Sequence, residues 1–153
     1  MTMFIERKQD LSVYYYIENL FTTYPDITVV DEFPTTTLTI PTVAVENGMY
    51  TVEWYELGNR RGIDLRTWFI DVYAKNKSQR DDYSYLIKNE VQDGIPVYDY
   101  DEGFPPDVSP TQIGAMEILE LSVEPIPILA ELVSTLYYRA QVRLIARYVE
   151  PLN

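Results

Sequence analysis

Over 66–74 (RTWFIDVYA) the residues sort by alternation into a side that is wholly apolar from Trp68 onward and a mixed one. Trp68, Ile70, Val72 and Ala74 share one side, and Thr67, Phe69, Asp71 and Tyr73 share the other. A period of two predicts a strand with one face in a core. The same period returns over 136–149, where Tyr138, Ala140, Val142, Leu144, Ala146 and Tyr148 oppose Arg139, Gln141, Arg143 and Arg147. That predicts a half-buried strand with a cationic outer face. Further extended runs are predicted over 27–30, 37–40, 42–45, 95–98 and 115–123, most of them rich in β-branched residues. Asn47-Gly48 reads as a hairpin turn into a strand over 50–57, so this part of the chain is expected to form an antiparallel meander with Pro34 and Pro41 at its edges.

Two segments carry the helical period instead. Over 10–21, Val13, Ile17, Leu20 and Phe21 fall on one face, the three consecutive tyrosines 14–16 must point around more than one face, and Pro25 closes the segment. The second helix is predicted to begin at Ser78, with Asp81 three residues on as a capping box. Leu86, Ile87 and Val91 form its buried face, and Gly94 is its stop. Residues 99–110 (DYDEGFPPDVSP) hold too much Pro, Gly and Asp for a regular element. The order α, several β, α, β predicts an α+β fold: a mixed, mostly antiparallel sheet with two α-helices packed on it, in a single domain spanning 1–153.

Composition then narrows the chemistry. With no His and no Cys, the commonest general base, the thiol nucleophile and most zinc or iron ligation are absent. No P-loop, G-x-S-x-G elbow or G-x-G-x-x-G fingerprint occurs. The turn Asp99-Tyr100-Asp101-Glu102-Gly103 could gather oxygen ligands, but its glycine comes one residue early for a calcium loop and no glutamate closes it. Asp81 and Asp82 are neighbours on a helix start and suit its dipole better than an acid/base pair. No catalytic, cofactor-binding or metal residue is therefore assigned, and the chain is not expected to be an enzyme. The opening MTMFIERKQD has no apolar stretch of the secretory kind, and cytosolic synthesis without membrane insertion is expected.

Charge changes the picture most. A formal net charge of −12 argues against binding nucleic acid through phosphate neutralisation. Yet the 12 basic residues are segregated: none lies between Lys8 and Arg60, and none between Lys88 and Arg139. Separate acidic and basic zones are what a head-to-tail contact between copies requires, which closes into a ring or runs on as a filament. Arg60, Arg61, Arg66, Arg80, Arg139, Arg143 and Arg147 are the interface candidates. Local pairing accounts for the last three equally well, with Arg139, Arg143 and Arg147 laddered against Glu117 and Glu120 on the preceding strand. The 14 tyrosines fit interfaces and core edges alike.

The succession of helix, meander, YELGNRRGIDLRTWFIDVYAKNKSQRDDYSYLIKNEV, GIPVYDYDEG and a closing strand pair resembles the small neck and tail-terminator proteins of tailed bacteriophages. The resemblance implies a virion protein at the head-tail junction, made in the host cytoplasm. It would form a homo-oligomeric ring, expected to be a hexamer, that ends the tail tube and offers a docking surface to the head. Its partners would be further copies of itself, the tail tube protein and head-completion or neck proteins, with DNA passing through the lumen without specific binding. The resemblance fits a neighbouring head-completion or stopper ring equally. The acidic composition leaves open a different class, a DNA mimic that inhibits a nucleic-acid enzyme.

Overall fold

A computed structural model describes residues 2–32, 39–56, 59–126 and 138–151, and over 54–56 and 59–63 the backbone alone. The elements run α1 (Ile5–Leu20), β1 (Thr28–Val30), β2 (Thr42–Glu56), β3 (Asn59–Ala74), α2 (Lys77–Val91), β4 (Ile95–Asp99), β5 (Thr111–Ile126) and β6 (Tyr138–Val149). The six strands form one sheet in the order β1-β2-β3-β6-β5-β4. Only β1 is parallel to its neighbour, so the fold is α+β with a mixed, mostly antiparallel sheet.

Both helices lie on one face of the sheet. The alternation in β3 sends Trp68, Ile70, Val72 and Ala74 into a cluster with Val13 and Ile17 of α1, Ile87 and Val91 of α2, and Val142, Leu144 and Ala146 of β6. Burying these side chains supplies the main drive to fold, at about 25 cal/mol per Å² of apolar surface removed from water. The helices also touch each other: the rings of Phe21 and Tyr83 meet edge to face at 5.4 Å, and the Tyr16 hydroxyl donates to the Glu90 carbonyl.

α1 begins five residues before the predicted start at Asp10. Its first turns carry little apolar periodicity and Phe4 provides no side-chain cap. They are held by tertiary contacts from Lys8, Gln9 and Asp10, which period counting does not register. The three tyrosines do diverge as expected. Tyr14 reaches the Val29 carbonyl, Tyr15 meets the Tyr100 ring, and Tyr16 reaches α2.

Asn47-Gly48 is not a hairpin turn. β2 continues through it and pairs with β3 on both sides, with a register irregularity between Asn47 and Tyr50. The two runs flanking Asn47-Gly48 share β3 as their partner, so the glycine serves a bulge. A β-carbon at Gly48 would lie 2.5 Å from the Phe69 ring, which excludes any larger residue without repacking. The meander is also not wholly antiparallel, because β1 enters parallel to β2. Of the strand expected over 37–40, residues 37 and 38 lie outside the described residues and Thr39 and Ile40 belong to the approach to β2; Leu57, 136 and 137 are likewise outside. β4 pairs only with β5 and so tolerates Pro96 at a sheet edge.

α2 starts one residue before Ser78, and its N-cap is Asn76. The Asn76 carboxamide oxygen accepts from the Gln79 amide at 2.8 Å, while Gln79 Oε1 accepts from the Lys75 amide at 2.8 Å. This reciprocal arrangement does the work expected of Ser78 and Asp81, two residues earlier. The stop is as predicted: Gly94 adopts φ +105°, and its amide donates to the Val91 carbonyl. Replacing Asn76 by Ala is expected to lower stability by about 1 kcal/mol and replacing Ser78 by Ala by only a few tenths, read from urea denaturation midpoints.

Candidate functional site

The face of the sheet opposite the helices carries the charged rows. Asp71, near the C-terminal end of β3, has no exposed surface although it points away from the helical core. Arg139 donates to its Oδ1 through Nε at 3.0 Å and Nη2 at 2.7 Å, and Gln141 Nε2 approaches the same oxygen at 3.4 Å. Oδ2 is buried and has no hydrogen-bond partner among the described residues. Burial pushes the Asp71 carboxyl above the ordinary 3.8, against the opposing pull of Arg139 and Gln141. The Arg139 guanidinium also lies 5.3 Å from the Tyr73 ring centre.

Two further rows cross from β6 to β5. Arg143 Nη2 meets Glu120 Oε1 at 2.8 Å, and Arg147 Nε meets Glu117 Oε2 at 2.7 Å. The expected ladder thus forms at these two positions. Arg139 departs from it because Ile126 stands opposite on β5, with no carboxylate to offer, whereas Asp71 lies diagonally across β3. Arg143 and Arg147 keep 44 % and 41 % of their side-chain surface exposed, and such pairs contribute about 0–1 kcal/mol each.

The other basic residues fall elsewhere. Arg66 shares the core-facing side of β3 with Trp68 and is 4 % exposed, so its charge is used inside the subunit. Its Nη2 meets Asp10 Oδ1 at 2.7 Å and its Nη1 donates to Gln9 Oε1 at 2.8 Å. Arg80 pairs with its neighbour Asp81 at 3.0 Å, close to the surface. Arg60 and Arg61 sit on the part of β3 that continues past its last pairing with β6, at Leu65, and their side chains lie outside the described residues.

The acidic turn after β4 is occupied by a cation from the chain itself. Lys8 Nζ lies 3.0 Å from Asp99 Oδ1 and 2.9 Å from Asp101 Oδ2, while the Met3 amide donates to Asp101 Oδ1 at 2.8 Å. The Met3 amide and Lys8 hold the Asp101 carboxyl below the ordinary range, and the bond to Asp101 raises Lys8. Among the described residues no group of three or more Asp, Glu, His or Cys is placed to hold a metal ion. Nothing in the local sequence linked Lys8 to this turn, since the contact spans 93 positions.

Between α1, β4 and the loop that follows lies a groove of about 510 Å³, lined by Tyr15, Tyr98, Tyr100, Pro96, Pro106 and Pro110 among others. The sequence offered the abundance of tyrosine and proline as a signal, but no period that would bring these residues together.

The class these features define is an α+β protein whose two described helices pack on one face of the sheet, with charge ladders on the opposite face and an aromatic groove. Compared with protein-family models and with curated proteins, the chain matches none. Among the described residues no helix is long and apolar enough to cross a membrane.

Removing one partner of the Asp71–Arg139 pair leaves a buried charge uncompensated. Arg139→Ala is therefore expected to destabilise by about 3 kcal/mol, and Asp71→Asn, which removes the charge itself, by under about 1 kcal/mol. Asp71 binds its proton more readily folded than unfolded, so its ionisation disfavours the fold. The stability of the native protein relative to Asp71→Asn should rise as pH falls through the raised pKa and level off below the ordinary 3.8, in urea titrations across that range.

Proposed function

We propose that this chain is a structural subunit of a ring at the head-tail junction of a tailed phage, where it ends the tail tube and presents a docking surface around the DNA channel. The observation that carries this reading is the half-exposed arginine rows on the sheet face opposite the two helices. Arg143 and Arg147 are paired with Glu120 and Glu117, which are themselves about half exposed. Ion pairs this wet gain little within the subunit, so they can exchange for pairs across a subunit contact at small cost. The resemblance in the sequence names the assembly. The net charge of −12 suits a channel through which DNA must slide without being held. In this reading the partners are further copies of the chain, a tail tube protein and a head-completion protein, and no residue has a catalytic role.

The test is the mass of the purified protein by light scattering at low and high salt, followed by negative-stain imaging. A closed ring with a central hole is expected, and Arg143→Glu should disperse it while lowering subunit stability, read from urea denaturation, by only about 1 kcal/mol. A monomer at both salt concentrations that also ignores tail tube protein would overturn the reading. A strongly salt-dependent complex with a basic nucleic-acid enzyme would favour the DNA-mimic alternative.

A further inference from the structure

The groove between α1 and the loop after β4 takes no part in the charged rows, and its chemistry is of a different kind. Its walls are tyrosine rings and prolines, and no Lys or Arg lines it. The rings of Tyr15 and Tyr100 are tilted by 35° with centres 5.6 Å apart, and Phe104 stacks on Tyr100 at 6.1 Å and 22°. The walls are held from behind. Ser12 Oγ accepts from the Tyr98 amide at 3.0 Å and donates to the Lys8 carbonyl, while the Tyr16 hydroxyl is fixed on the Glu90 carbonyl at 2.8 Å.

We propose that this groove binds an extended, proline-rich segment of a partner protein that carries a basic residue beside its prolines. A polyproline II segment makes no internal hydrogen bonds and has few N–H groups, so it presents apolar ring faces and unpaired carbonyls. A site for it needs aromatic ridges and hydroxyl donors, which is how such segments are read in aromatic-lined grooves. Tyr15 and Tyr98 supply hydroxyls that donate to no described group of the chain. Burial, with Glu18 and Asp31 nearby, raises the Tyr15 pKa and keeps that hydroxyl protonated as a donor. The need for a basic residue comes from the bordering loop. Glu102 and Asp107 are exposed on it, Asp107 between the lining residues Pro106 and Val108, whereas Lys8 of α1 is committed to Asp99 and Asp101. Exposed carboxylates beside an apolar floor are complementary to a proline run flanked by Lys or Arg. The fixed walls also lower the ordering cost of binding.

The test is fluorescence anisotropy with a short labelled synthetic peptide of repeated Pro-Leu-Pro and an arginine at each end. Controls are the same peptide with alanine for proline and with glutamate for arginine. Saturable binding is expected for the first peptide, weakened by about tenfold or more in each control and in Tyr98→Ala, whose fold is checked by circular dichroism. Asp107→Lys, on the exposed loop and away from the core, should weaken the arginine-ended peptide several-fold and leave the glutamate-ended one no weaker. Absence of saturable binding, or equal binding of the alanine peptide, would overturn the proposal. So would a concentration-dependent dimer that Tyr98→Ala disperses and the peptide fails to compete with, which would give the groove to a second copy. None of these readings depends on whether a ring forms.

Discussion

The Arg66 guanidinium is the point on which the rest of the structure leans. It lies between the rings of Tyr50 and Trp68, 4.8 Å from each centre, and donates to Gln9, to Asp10 and to the Glu6 carbonyl. The Trp68 indole N–H donates to the same Asp10 oxygen at 3.0 Å. A buried cation is tolerated only when its partners are in place, so this one residue fixes the first turns of α1 against β2 and β3 together. Tyr50 is held in turn by its hydroxyl bond to Asp64, and burial together with that bond raises its pKa to about 12.

Once α1 is fixed there, the rest of the helical layer follows. The helix crosses to β4 and places Lys8 over the acidic turn, which closes the loop against the helix N-terminus. α2 occupies the space over β3, β6 and β5, and the aromatic contacts of Phe21 and Tyr24 with Tyr83 join the two helices. Both described helices are thereby spent on one side of the sheet. Among the described residues, the polar groups of the other side are satisfied by side-chain rows between strands.

That division accounts for the functional reading. Groups that titrate or carry charge are either locked in pairs, as at Lys8, Arg66 and Asp71, or displayed in exposed rows, as at Arg143 and Arg147. Locked pairs hold the shape, and displayed rows are free to exchange partners. The aromatic groove adds a third kind of surface, apolar and preformed, on the helical side of the molecule. In the ring subunit we propose, these would be the separate surfaces that self-assembly and the docking of another protein require.

The sequence by itself determined β3 from Arg66 to Ala74 but not its earlier part from Asn59, the strand β6, their buried and exposed sides, the second helix with its Gly94 stop, and the α+β class. These rest on periods of two and 3.6 and on the conformational freedom of glycine, which are local physics. The ladder was one of two readings the sequence left open for Arg139, Arg143 and Arg147; it forms at Arg147, opposite Glu117, and at Arg143, diagonal to Glu120. Only the tertiary structure decided the rest. The start of α1 depends on ion pairs from residues more than fifty positions away, so its polar first turns carried no periodic mark. Asn47-Gly48 has the composition of a turn, and it became a bulge because β3 runs alongside both flanking segments. Arg66 shares the parity of Trp68 on β3, which puts it on the core side, but its partners Gln9 and Asp10 came from α1. Arg139 exchanged an expected glutamate for Asp71 because the register set Ile126 opposite it. In each case pairing between distant segments, which no local pattern encodes, chose the partner.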